Sequence, residues 1–285
     1  MIARASTATL IAIVVAVALA LSSTSQPTAA AEPVRLASLE WEPYIGPNLP
    51  EQGYVAALIR AAFAEEGLEV EFRYYPWARA LHLARNGSVE GLVPEYFDAS
   101  RESEFAFSDP FPGGPLVFYR RRDTAIAFAA DPATEPETAF RALTEWRFGV
   151  VRGYLNTPAF DAADYLFKEE ASDDATNLRK LAFGRIDLAV VDRNVAEHLM
   201  RTRYPDYPAK LEAMQPPLAE LDLFIAFART SPRMEEIRAR FNAGLAALAA
   251  DGRLDALRAR YALSRSRLQA SAPFGRPALS SRADR

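Results

Sequence analysis

The chain has 285 residues, half of them hydrophobic, a formal net charge of −4, two histidines and no cysteine. Without cysteine there is no disulfide, no thiolate nucleophile and no lipid-modified cysteine anchor, and His82 and His198 lie too far apart to suggest a zinc site. The negative balance argues against a nucleic acid or an anionic membrane surface as partner, both of which favour basic proteins.

Residues 1–31 read as a secretory signal peptide, with Arg4 as the only charge, an apolar run from Leu10 to Leu21 and a small-residue site at Ala29-Ala30-Ala31. That run is shorter than the roughly 20 apolar residues needed to cross a bilayer. Cleavage after about Ala31 predicts an exported chain starting near Glu32, one unit more negative for the loss of Arg4.

Strands and helices then alternate. Val34 to Trp41 reads as a strand, and Tyr54 to Glu66 as a helix with Val55, Leu58, Ile59, Ala62 and Phe63 on one face and Gly67 as its stop. Leu68 to Tyr75 alternates like a strand, Pro76 opens a helix running to Gly87, and Ser88 to Val93 is the next strand. This order implies a mostly parallel sheet covered by helices. Pro112-Gly113-Gly114 interrupts, Pro115 to Arg121 is a strand, and Asp131 to Pro136 reads as a loop.

The pattern resumes with a strand at Trp146 to Gly153, helices near Pro158 to Phe167 and Asp174 to Phe183, a strand at Ile186 to Asp192 and a helix at Asn194 to Arg203. Leu221 to Arg229 is a late strand, followed by helices at Pro232 to Ala250 and Leu254 to Ala262. Residues 264–285, rich in Ser, Arg, Pro and Ala without periodicity, read as a disordered tail. His82 and His198 both fall on helices and read as surface residues.

One internal likeness stands out. "NGSVEGLVPE" and "FGRIDLAVVD" each set a stop glycine, an acid three residues on, an apolar strand and a second acid, so Glu95 and Asp192 end corresponding strands. Ligands of open α/β sheets bind beyond the carboxyl ends of strands, which would bring both carboxylates to one cleft.

From about Val34 to Ala262 the chain resembles the periplasmic solute-binding proteins of ABC transporters, in the amino-acid-binding group (extracellular solute-binding protein family 3). The likeness rests on "EWEPY", "GYVAALIRAAFAEEG", "PWARAL", "SRESEFAFSDPF", "GVVRG", "FGRIDLAVVD" and "LAADGRLDALRARYA", in that order. The resemblance implies an α/β, two-lobed periplasmic binding protein fold with two hinge crossings between Rossmann-like lobes. Lobe one would be residues 32–113 plus 222–263 and lobe two residues 114–221, crossing at Gly113-Gly114 and near Glu220 to Leu223. Glycines there are expected to absorb the dihedral change of closure.

The same resemblance implies ligand-binding roles. Arg101, ahead of Phe107-Ser108-Asp109, would grip an α-carboxylate through paired charge-assisted hydrogen bonds; otherwise it pairs on the surface with Glu102 or Glu104. Asp192 would hold an α-ammonium, or else cap the following helix. Trp41 and Trp77 would stack on the ligand, or belong to the core, while Gly153 and Tyr154 would offer backbone N–H groups.

This sequence departs from the family where Pro94, Glu95 and Tyr96 replace small hydroxyl residues, and where Tyr154-Leu155, followed by Asn156, replaces a hydroxyl pair. Glu95 suggests a ligand more positive than a neutral amino acid or held in a changed pose, unless Arg79 or Arg152 neutralises it.

The implied function is periplasmic binding of an amino acid or related small polar solute, without cofactor, metal or catalysis, by a monomer serving an ABC permease in the inner membrane. Two alternatives share the scaffold: a cyclohexadienyl dehydratase-like enzyme using Glu95 as acid, and a ligand-sensing partner of a membrane signalling receptor.

Overall fold

The computed structural model describes residues 32–261, so the signal-peptide and tail expectations lie outside the described residues. In chain order the elements are β1 (Val34–Ser38), α1 (Tyr54–Glu65), β2 (Val70–Tyr74), α2 (Trp77–Arg85), β3 (Gly91–Glu95), β4 (Phe105–Phe107) and β5 (Phe111–Arg121). Then come α3 (Pro136–Arg141), β6 (Arg147–Val151), α4 (Pro158–Asp161), β7 (Phe167–Ala171), α5 (Asp174–Ala182), β8 (Leu188–Asp192) and α6 (Arg193–Thr202). The last are β9 (Leu211–Ala213), β10 (Ala219–Ala228), α7 (Met234–Ala250) and α8 (Arg253–Arg260).

Strand order is β2-β1-β3-β10-β5-β8-β6-β7, with β4 beside β10 and β9 beside β5. It reads the same from either end: a parallel trio with β1 or β6 in its middle, then a long antiparallel strand, β10 or β5. The two halves are the two lobes of an α/β fold, and the long strands join them.

The internal likeness seen in the sequence has a structural counterpart. Gly87 and Gly184 both take a left-handed conformation, with φ of 74° and 68°. The next acid of each segment performs the same task. Glu90 accepts from the backbone N–H of Arg35 at 3.0 Å and from its guanidinium at 3.4 and 3.3 Å. Asp187 accepts from the N–H of Arg147 at 3.0 Å and from its guanidinium at 2.9 and 3.3 Å. Each acid thereby clips the start of its lobe's central strand to the loop entering β3 or β8. Those strands end on Glu95 and Asp192.

Burial follows the amphipathic patterns. Helix α1 buries Val55, Leu58, Ile59, Ala62 and Phe63. It meets α7 so closely that a Cβ on Gly244 would lie 1.9 Å from the carbonyl of Ala62. The second lobe has its own aromatic centre, where Phe118 packs at 5.2 Å from Phe148 and 5.4 Å from Phe160.

Several expectations need correction. Pro112-Gly113-Gly114 is not an interruption but part of β5, and neither glycine has a positive φ. Close approach explains them: a Cβ on Gly113 would lie 2.3 Å from the carbonyl of Leu221, and one on Gly114 2.3 Å from the Tyr44 hydroxyl. Gly114 is paired with Leu221, and the register of β10 shifts between Leu221 and Leu223. The segment read as a loop from Asp131 leads into helix α3 at Pro136, a residue suited to a first helical turn. The helix expected from Pro158 to Phe167 ends at Asp161, and strand β7 starts at Phe167.

Candidate functional site

Three sets of contacts span the cleft between the lobes. In the first, Asp192 sits between β8 and α6. One of its oxygens accepts from the N–H groups of Asn194 (2.8 Å) and Val195 (3.2 Å), capping the helix. The other accepts from the Tyr44 hydroxyl at 3.1 Å, and that hydroxyl accepts from the Asn194 amide at 2.8 Å. Asp192 thus caps the helix with one oxygen and turns the other toward Tyr44. Gly114 makes room for the set, since a Cβ there would also lie 2.6 Å from the Asn194 amide and 2.9 Å from Asp192.

The second set centres on Arg101, only 7% exposed at the end of the 3-10 turn Ala99–Arg101. Asp98 caps that turn by accepting from the Ser100 N–H at 2.7 Å. The guanidinium pairs with Glu95 and donates at 2.6 Å to the carbonyl of Gly153 on the facing lobe. Trp77 donates its indole N–H to the same carbonyl at 3.0 Å. Gly153 can aim its carbonyl this way because it holds a φ of 79° after β6.

In the third set the Trp41 indole N–H donates to Asp174 at 3.1 Å, and the Tyr154 hydroxyl donates to the same oxygen at 3.4 Å. Trp41 stacks on Tyr44, with centroids 4.7 Å and planes 22° apart, and Tyr96 meets Trp41 edge-on at 6.1 Å. Trp77 meets Tyr154 edge-on at 6.0 Å. A narrow pocket of about 20 Å³, partly open to solvent, is walled by Trp41, Trp77, Glu95, Tyr96 and Tyr154 among others. A wider opening of about 470 Å³ shares Trp41, Trp77 and Tyr154 and reaches Asp174 and Arg203.

Electrostatically the site is acidic. Burial pushes the Asp174 and Asp192 carboxyls up to about 7, against the hydrogen bonds that favour their charged forms. Burial raises Glu95 to about 7 as well, with the Arg101 charge pulling the other way. Burial, reinforced by the nearby carboxylates, lifts the Tyr44, Tyr96 and Tyr154 hydroxyls well above the ordinary phenol value, so they stay neutral donors.

A family model described as "Bacterial extracellular solute-binding proteins, family 3" matches residues 39–264. The chain belongs to that family. Among similar solved structures, a histidine kinase sensor domain with similarity to periplasmic binding proteins is 22% identical, with a TM-score of 0.68 over 81% of this chain and 96% of that one. The GluR0 ligand-binding core from Nostoc punctiforme, in complex with L-glutamate, is 19% identical, with a TM-score of 0.65 over 80% and 99%. An ancestral arginine-binding protein bound to arginine is 17% identical, with a TM-score of 0.66 over 80% and 97%. At these identities the likeness concerns the fold. No curated protein matches the chain.

In this family 3 protein, most residues singled out from sequence converge. Trp41, Trp77, Glu95, Tyr96 and Tyr154 line one pocket, and Arg101, Gly153 and Asp192 join the contacts around it. Asn156 stands apart, its N–H and side-chain amide both bonded to Asp161 at 2.8 Å. Arg101 pairs with neither Glu102 nor Glu104; the latter is held by Arg85 at 2.9 Å. Neither Arg79 nor Arg152 neutralises Glu95, because Arg79 lies over the Tyr75 ring and Arg152 pairs with Glu170. The turn at Gly153 offers its carbonyl across the cleft, and the Tyr154 N–H donates to the Val151 carbonyl. His198 is no plain surface residue: it meets Glu42 across the cleft at 3.1 Å, and both side chains are 12% exposed.

Two contributors escaped sequence reading. Tyr44 lies inside the quoted "EWEPY" motif, three residues after Trp41. Asp174 follows Asp173, which caps α5 by accepting from the Thr176 N–H at 2.7 Å. The available signal was two aspartates at a helix start with one cap position to fill.

Proposed function

We propose that this solute-binding protein works in the periplasm as a monomer without a cofactor. It captures an amino acid or related small polar solute and presents it to an ABC-type permease in the inner membrane. Lobe one (residues 32–113 and 222–263) and lobe two (114–221) close over the solute, which favours the closed form through contacts with both. One observation carries this reading: beside an aromatic-lined pocket, a buried guanidinium, Arg101, pairs with the wall residue Glu95, and a buried carboxylate, Asp192, accepts from Tyr44, which stacks on the wall residue Trp41.

A thermal-shift screen of the mature chain with amino acids, amines and small carboxylates tests it, since a ligand of the folded state raises apparent stability. Failure of every such solute to raise the melting temperature refutes capture.

The enzymatic alternative needs a neutral Glu95 that gives its proton to a leaving hydroxyl. Burial holds that carboxyl near 7 while the adjoining Arg101 guanidinium pulls toward the ionised form, so its pKa does not decide between binding and catalysis. Mass spectrometry after prolonged incubation separates the two, because a binding protein returns its ligand unaltered.

A further inference from the structure

The charge balance of the cleft narrows the class of solute. The buried ionisable groups around it are Glu95 (3% exposed), Asp174 (5%), Asp192 (2%) and Arg101. The terminal nitrogens of Arg101 already have protein partners, Glu95 and the Gly153 carbonyl. A ligand carboxylate would have to compete with an anion fixed on the same lobe six residues away. Asp174 and Asp192 differ in kind, because their hydrogen-bond donors are all neutral: Trp41 and Tyr154 for one, Tyr44 and two backbone N–H groups for the other. A buried charge facing only neutral groups is costly, and an incoming cation offsets that cost.

Other basic groups near the opening have partners among the described residues, and Arg79 lies over the Tyr75 ring. Arg203 lies 3.9 Å from Glu42, His198 lies 3.1 Å from the same carboxylate, and Arg152 pairs with Glu170.

The rings point the same way. Trp41, the donor to Asp174, is stacked on Tyr44, the donor to Asp192, so the two carboxylates are tied to adjoining members of one aromatic stack. Aromatic faces attract cations, most strongly where water is excluded. The Tyr96 hydroxyl, on a side chain only 7% exposed in the pocket wall, has no hydrogen-bond partner. It interacts electrostatically with both Asp192 and Asp174. It is an unused acceptor for an N–H beside the two anions.

We propose, resting on the capture reading above, that the solute is an organic dication without a carboxylate of its own, a diamine or aminoguanidine. Asp174 and Asp192 take its two charged ends, and the stacked rings cover the carbon chain between them. Glu95 acts as the internal occupant of Arg101.

Isothermal titration of the mature chain with 1,4-diaminobutane, 1,5-diaminopentane, lysine and glutamine tests the proposal. The diamines are expected to bind at least about tenfold tighter than glutamine, a difference near 1.4 kcal/mol. Binding should release protons, because a cation beside Asp174 and Asp192 lowers carboxyl pKa values that burial holds near 7. Diamine affinity therefore rises between about pH 5 and pH 8.

Asp174→Asn should weaken diamine binding by about tenfold or more without unfolding the protein. Glu95→Gln should release Arg101 and raise the affinity for lysine relative to diamine by about tenfold. Glutamine binding more tightly than either diamine overturns the dication proposal and leaves capture intact. Absence of binding by amines and amino acids alike overturns both. Unchanged diamine affinity in Asp174→Asn removes that carboxylate from the assigned role and sinks the two-anion pairing.

Discussion

Replacing Asp174 by asparagine should stabilise the protein at neutral pH, against the usual trend for a buried polar site. The side chain keeps an oxygen to accept from the Trp41 indole, and its volume hardly changes. What disappears is the ability to ionise. In the folded chain burial raises this carboxyl from 3.8 to about 7, whereas an unfolded aspartate titrates near the lower value. Below about pH 4 both states hold the proton and the carboxyl contributes nothing to stability. Between about pH 4 and pH 7 the unfolded chain releases the proton more readily, so stability falls as pH rises. Above about pH 7 the deficit is constant. A shift of about three pH units corresponds to roughly 4 kcal/mol at about 1.36 kcal/mol per unit. Opening of the cleft rehydrates the carboxylate and limits the loss, so Asp174→Asn should gain about 1–4 kcal/mol at pH 8 and nothing at pH 4. Urea denaturation of both proteins without ligand at pH 4, 6 and 8 measures it. A difference independent of pH, or a loss of stability at pH 8, would show that the carboxyl is not desolvated as described.

Gly114→Ala would force a methyl group to within 2.3 Å of the Tyr44 hydroxyl and 2.9 Å of Asp192, and should cost about 1–3 kcal/mol in urea denaturation while weakening ligand binding. Glu90→Ala and Asp187→Ala remove equivalent clips from the two lobes and should each cost about 1–3 kcal/mol with ligand affinity unchanged; sharply unequal losses would contradict the structural repeat. Trp41→Phe keeps a ring but loses the donor to Asp174. It should lower stability by about 1.5–3 kcal/mol at pH 8 and by less at pH 4, where the carboxyl is protonated.

Much of the fold was legible because local chemistry specifies it. The apolar face of α1, the glycines at 87 and 184 and the acids three residues beyond them are short-range patterns, and they mark the starts and ends of elements whatever surrounds them. Strand β7, "FKEEA", escaped because it lies at the sheet edge with only Ala171 buried, so no apolar alternation announces it. Strands β4 and β9 are three residues each, too short to carry a period. Pro112-Gly113-Gly114 looked like a break because glycine usually marks a turn. Only the packed structure reveals the carbonyl and hydroxyl that exclude a side chain there.

For the site, residue types and strand-end positions were readable for Glu95, Arg101 and Asp192, since an acid closing an apolar strand and a lone arginine in an acidic stretch are visible along the chain. Which charges meet was not. Trp41 and Asp174 are 133 positions apart, and Tyr44 and Asp192 are 148 apart. Such pairs are brought together when two lobes pack, a consequence of burial summed over both cores. The chain by itself determined the two-lobed architecture and the kinds of group at its strand ends. The tertiary structure decided that Arg101 meets Glu95 while Asp174 and Asp192 meet only neutral donors, because pairing depends on distances across the cleft that local patterns do not encode.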